Sequence, residues 1–92
     1  MIIYVTFAQK NENALKEIQK NDLENTYIAS NDIFAYIDET FDEETICDMR
    51  SDVLMVCDKL LVIGDVNEIM KKETAYAELF GMEVEYREAP HS

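Results

Sequence analysis

Two short runs, Ile2-Ile3-Tyr4-Val5-Thr6-Phe7 and Lys59-Leu60-Leu61-Val62-Ile63, are β-branched, aromatic or aliphatic almost throughout and lack the in-and-out alternation of a surface strand. A strand can be apolar on both faces only where helices cover both, which is the setting of a parallel α/β sheet. Everything between and after these runs can therefore be read as the crossovers such a sheet requires.

Asn11 or Asn13 can cap a helix running to about Asn21, with Ala14, Leu15 and Ile18 on one face and Lys16, Glu17, Gln19 and Lys20 on the other. Thr26-Tyr27-Ile28-Ala29 suits a second, shorter strand. The segment from Ser30 to Thr40 has weak periodicity but carries Ile33, Phe34, Tyr36 and Ile37, and is expected to hold a short helix over the strand ends. From Asp42 the spacing Ile46, Met49, Val53, Val56, Cys57 predicts a second long helix, with acidic residues ahead of it that complement its positive dipole end. The second apolar run ends in Gly64-Asp65, a turn. A third helix is expected from Glu68 to Phe80, with Ile69, Ala75, Ala77, Leu79 and Phe80 among its apolar positions and Gly81 as its stop. Glu83-Val84-Glu85-Tyr86 alternates as an edge strand would.

The order β-α-β-α-β-α-β calls for right-handed crossovers. The expected architecture is a three-layer, flavodoxin- or Rossmann-like α/β fold with a four-stranded parallel sheet in the order 2-1-3-4. At 92 residues the chain supports one core and so one domain, residues 1 to 92. In such sheets ligands bind beyond the strands' carboxyl ends where the order reverses, here between the first and third strands. That places Thr6 to Lys10, Ser30 to Asp32 and Gly64 to Asn67 around one crevice.

Charge narrows the partners. Twenty Asp and Glu against 8 Lys and Arg leave a formal charge of −12, which repels a phosphate backbone and argues against nucleic-acid binding. The acidic surface keeps such a chain soluble or receives a basic protein partner. No apolar run approaches the roughly 18 residues of a membrane span, and Met1-Ile2-Ile3-Tyr4-Val5 has no basic region before it and is too short for a signal peptide. Cys47 and Cys57, about 15 Å apart along one expected helix, are too far apart for a disulfide and read as reduced core thiols of a cytoplasmic protein. No Cys/His spacing suggests zinc, and neither a metal nor a cofactor is expected.

The densest pattern is Leu54-x-x-Cys57-Asp58-x-Leu60-Leu61-Val62 followed by Glu73-x-x-Tyr76-Ala77-x-x-Phe80-Gly81-x-x-Val84. It resembles the nucleoside 2-deoxyribosyltransferase-like superfamily, which carries an aspartate just before the third strand and a Glu-x-x-Tyr-Ala-x-x-Leu-Gly-x-x-Val stretch on the next helix. The resemblance is close over this half and loose over the rest, through the opening Ile-Ile-Tyr-Val strand. It implies that Glu73 matches the nucleophile that attacks the sugar C1′, a role that suits a carboxylate able to form a glycosyl ester. The chain departs from the pattern at Asn67 and Ile69, where active relatives carry Asp or Ser and Gly. It departs again in Thr6-Phe7-Ala8-Gln9-Lys10, where they carry a Gly- or Ser-rich turn, and at Arg50, which holds the spacing expected of an upstream aspartate.

The expectations are then as follows. Glu73 and Asp65 are the candidate catalytic pair, with Asp65 assisting the leaving base or binding ribose hydroxyls. Thr6, Phe7, Asn31, Gly64, Asn67 and Tyr76 are the candidate ligand-binding residues. Glu73 has an alternative reading as a solvated helix carboxylate beside Lys71 and Lys72, Asp65 as a turn former, and Asp58 as a bridge into the third strand. The implied function is binding of a nucleoside or nucleotide, with N-glycosidase or deoxyribosyltransferase activity. The alternative is a catalytically silent acidic domain of the same fold, acting through protein contacts or as a homodimer or higher homo-oligomer, with the Ile33 to Ile37 segment and the second helix as contacts.

Overall fold

The computed structural model describes residues 1–30 and 40–88. Its strands are β1 (Ile2–Phe7), β2 (Thr26–Ala29), β3 (Lys59–Ile63) and β4 (Glu83–Arg87), and its helices are α1 (Glu12–Asn21), α2 (Glu43–Met55) and α3 (Glu68–Leu79). The sheet is parallel throughout in the order β2-β1-β3-β4, as the apolar runs and the crossover rule predict. Its register sets Tyr4 beside Ile28 and Leu60, and Phe7 beside Ile63. Asp58 stitches the approach to β3 onto β1: its Oδ2 accepts from the Ile2 amide at 2.7 Å and its own amide donates to the Ile2 carbonyl at 2.8 Å.

Strand alternation divides the core in two. Ile3, Val5, Phe7, Leu61 and Ile63 face α1 through Leu15, with Ala14 and Ile18 at the margin. Tyr4, Leu60 and Val62 face Leu54 of α2 and Met70 and Ala77 of α3. One helix cannot cover four strands, and on the α1 side the β3–β4 half is finished by charge: Lys59 meets Glu85 at 2.8 Å, and Arg87 meets the other Glu85 oxygen at 2.6 Å.

Both helices over the Tyr4 face are rotated from the expected stripes. In α2 the inward positions are Ile46, Arg50, Val53 and Leu54, followed by Cys57 beyond the helix end. Met49 and Val56 point outward, Val56 with 74% of its surface exposed. In α3 the buried residues are Met70, Glu73 and Ala77, while Ile69, Ala75, Leu79 and Phe80 are exposed. A stripe through Met70, Glu73 and Ala77 turns the glutamate onto the sheet and in doing so displaces the more apolar positions to the surface. Asn31 and the Ile33 to Ile37 segment lie outside the described residues. No helix among those described is long and apolar enough to cross a membrane.

Candidate functional site

The expected strand-end site falls at the carboxyl ends of β1 and β3. Thr6 pairs with Val62 and Phe7 with Ile63, so Thr6, Phe7 and Gly64 do come together there. Thr6 and Phe7 are buried, however, and Phe7 packs in the α1-side core, so neither side chain is presented to a ligand there. Gly64 takes a φ of 78°, a conformation that glycine enters without strain, and its amide donates to the Arg87 carbonyl at 2.8 Å. Asp65 stands exposed beyond it. Asn67 is the N-cap of α3, its Oδ1 accepting from the Met70 amide at 2.9 Å, so this acceptor serves the helix. Asn11 occupies the N-cap position of α1 without making a side-chain cap, and its buried Nδ2 has no hydrogen-bond partner.

Glu73 lies deeper. Its side chain is 3% exposed, and its Oε1 accepts from Arg50 Nη1 of α2 at 2.7 Å and from the Tyr4 hydroxyl of β1 at 3.4 Å. Its Oε2 is buried with no partner. Tyr4 lies three residues before the end of β1, which sets this cluster roughly 10 Å below the carboxyl edge of the sheet. Among the described residues no hydrogen bond or ion pair joins Glu73 to Asp65. The reading of Glu73 as a solvated carboxylate beside Lys71 and Lys72 is overturned. Those lysines pair instead with Glu68 at 3.4 Å and Glu43 at 2.9 Å, because the rotation of α3 that buries Glu73 leaves them outside.

Burial, and then the field of Glu73, push the Tyr4 phenol well above its ordinary range despite the opposing effect of Arg50. Chemically, the cluster is a guanidinium and a neutral phenol closed around one carboxylate oxygen. A nucleophilic carboxylate needs an open approach with a sugar carbon about 3–3.5 Å away; here Oε1 is engaged by Arg50 and Oε2, though without a partner, is buried.

Tyr76 is placed elsewhere. It stacks on Phe80, ring centroids 6.3 Å apart at 16°, nine residues beyond Asn67 and so roughly 13 Å along α3 from the crevice. With Glu43, Glu44 and Cys47 of α2 and Ala75 and Leu79 of α3 it lines an open groove of about 680 Å³. Cys47 is half-buried there, which corrects its reading as a core thiol, whereas Cys57 is buried as expected; both are free. Within the described residues no cluster of His, Cys, Asp or Glu is arranged to hold a metal ion.

Arg50 and Tyr4 are the partners that sequence reasoning missed. The available signal was Arg50 itself, the one basic residue in a helix that otherwise carries Glu43, Glu44, Asp48 and Asp52, because such a cation needs a buried or crowded anion to justify it. Comparison with models of known protein families finds no match for this chain, and comparison with curated proteins likewise finds none.

Proposed function

We propose that this chain is a catalytically silent α/β domain that works by contact with a basic protein partner. The observation that carries this reading is the enclosure of Glu73: the residue matching the nucleophile of the nucleoside 2-deoxyribosyltransferase-like superfamily is held by Arg50 and Tyr4 inside the core. Arg50 stands at the spacing where that superfamily places an aspartate, so a position that would assist chemistry supplies a counter-ion to the glutamate instead. Asp65 is exposed, and among the described residues no hydrogen bond or ion pair joins it to Glu73. What is left as a means of recognition is the surface, whose formal charge of −12 favours cationic partners and speeds their encounter.

The test is prolonged incubation of the protein with deoxynucleosides, ribonucleosides and their 5′-monophosphates, with chromatography for free base. No release is expected. Release that Glu73→Gln abolishes would overturn the reading.

A second reading has its own support. The strand order reverses between β1 and β3, where open α/β sheets bind ligands, and the side-chain Nδ2 of Asn11 lies buried at the start of α1 without a partner. Binding of an uncharged nucleoside there would raise the melting temperature, since a ligand at a hundred times its dissociation constant adds about 2.7 kcal/mol. A nucleoside panel at millimolar concentration with no shift would remove it.

A further inference from the structure

Resting on the protein-contact reading, we propose that the groove between α2 and α3 is the docking site for a single basic amphipathic helix of a partner protein. Cys47, Ala75, Tyr76 and Leu79 give the groove an apolar lining, beside Glu43 and Glu44. Leu79 is 77% exposed, and Phe80, stacked on Tyr76, is also exposed. A contiguous exposed apolar patch rimmed by polar groups, unlike singly exposed apolar residues, marks an interaction site.

Along α3 the lining runs from Lys72 to Leu79, about 10 Å, which matches two turns of a docked helix presenting apolar anchors at helical spacing. Charge selects the occupant. Lys72 and Glu43 of the lining neutralise each other at 2.9 Å, so the charge the groove itself adds to the overall field of −12 is the Glu44 carboxylate. A second copy of this chain would bring the same charge of −12 against it, whereas a lysine- or arginine-flanked helix is attracted.

The experiment uses the full chain and, as probe, a fluorescein-labelled amphipathic helical peptide of leucine and lysine, followed by anisotropy at low and physiological salt, with a leucine and glutamate peptide of the same pattern for comparison. The expected result is saturable binding of the lysine peptide alone. Leu79→Asp is expected to weaken it at least about tenfold. The same charge change at Leu23, which is 92% exposed in the turn before β2, is expected not to weaken it. If attraction were merely electrostatic, both substitutions would tighten binding, and that result overturns the proposal. The peptide is also expected to protect Cys47 from iodoacetamide; unchanged alkylation overturns the location.

Sedimentation showing a wild-type dimer that Leu79→Asp dissociates would make a second copy the occupant and likewise overturn the proposal. The outcomes separate from those of the underlying reading. Base release from nucleosides would defeat catalytic silence without touching peptide binding. Failure of the peptide to bind, with no base released, would defeat the groove alone.

Discussion

Arg50 and Glu73 bring opposite charges into the space between α2, α3 and the sheet, with side chains 13% and 3% exposed. Such a pair adds little net stability over apolar residues of similar shape, but stranding one member is costly. Arg50→Met is therefore expected to destabilise the protein by about 3–5 kcal/mol, because the Glu73 carboxylate then keeps only the longer Tyr4 contact. The double variant Arg50→Met with Glu73→Leu is expected to recover most of that loss. Urea denaturation of the four species measures the coupling, and additive effects would show that the pair is not an energetic unit. Tyr4 gives a second expectation at this scale. Its phenol is raised above the ordinary value near 10 by burial first and Glu73 second, so the folded state holds its proton more tightly than the unfolded state does. The stabilisation is complete below about pH 10 and is lost as pH rises beyond it, when the unfolded chain ionises first. Stability measured from about pH 9 upward should fall, and Tyr4→Phe should flatten the slope, leaving the contributions of Tyr27, Cys57, Lys59 and Lys72, which are also raised.

At the scale of elements, α3 is held at both ends by devices legible in the chain. Asn67 caps its start. At its end the Met82 amide donates to the Ala77 carbonyl at 2.9 Å and the Gly81 amide to the Glu78 carbonyl at 3.1 Å, a pairing that needs the left-handed conformation Gly81 takes at φ 71°. Asn67→Ala should cost about 1 kcal/mol and Asn67→Asp should retain the cap. Gly81→Ala should cost about 1–2 kcal/mol through backbone strain alone, since an added Cβ there meets no atom within 4 Å. Urea midpoints check both, and a neutral Gly81→Ala would mean that the helix end relaxes. The strands were legible almost residue for residue, β1 and β3 because a buried parallel strand needs only an unbroken apolar run and β4 because a half-exposed edge strand alternates. The helix faces were not. Apolar residues on α2 and α3 allow more than one inward stripe, and the choice that places Arg50 and Glu73 inside was made by their meeting across the helix interface, which neither helix carries alone.

For the whole molecule, the excess of acid over base sets a field that no single contact relieves: Lys59 with Glu83 and Glu85, Lys72 with Glu43 and Arg87 with Glu85 still leave most carboxylates of the −12 chain unpaired by a side-chain cation among the described residues. Self-repulsion of this kind is screened by salt. The melting temperature should therefore rise between about 10 mM and 150 mM sodium chloride, over which the Debye length falls from roughly 30 Å to 8 Å. A flat response would show that the charges are already spaced beyond effective repulsion. The sequence by itself determined the parallel sheet, its order and the two ends of α3, because unbroken apolar runs, a cap, a glycine stop and the handedness of crossovers act locally or by general rule. Only the tertiary structure decided what Glu73 is. Its partners are 23 and 69 residues distant in the chain, and a contact at that range depends on how two helices settle against a sheet, which no spacing along the chain encodes.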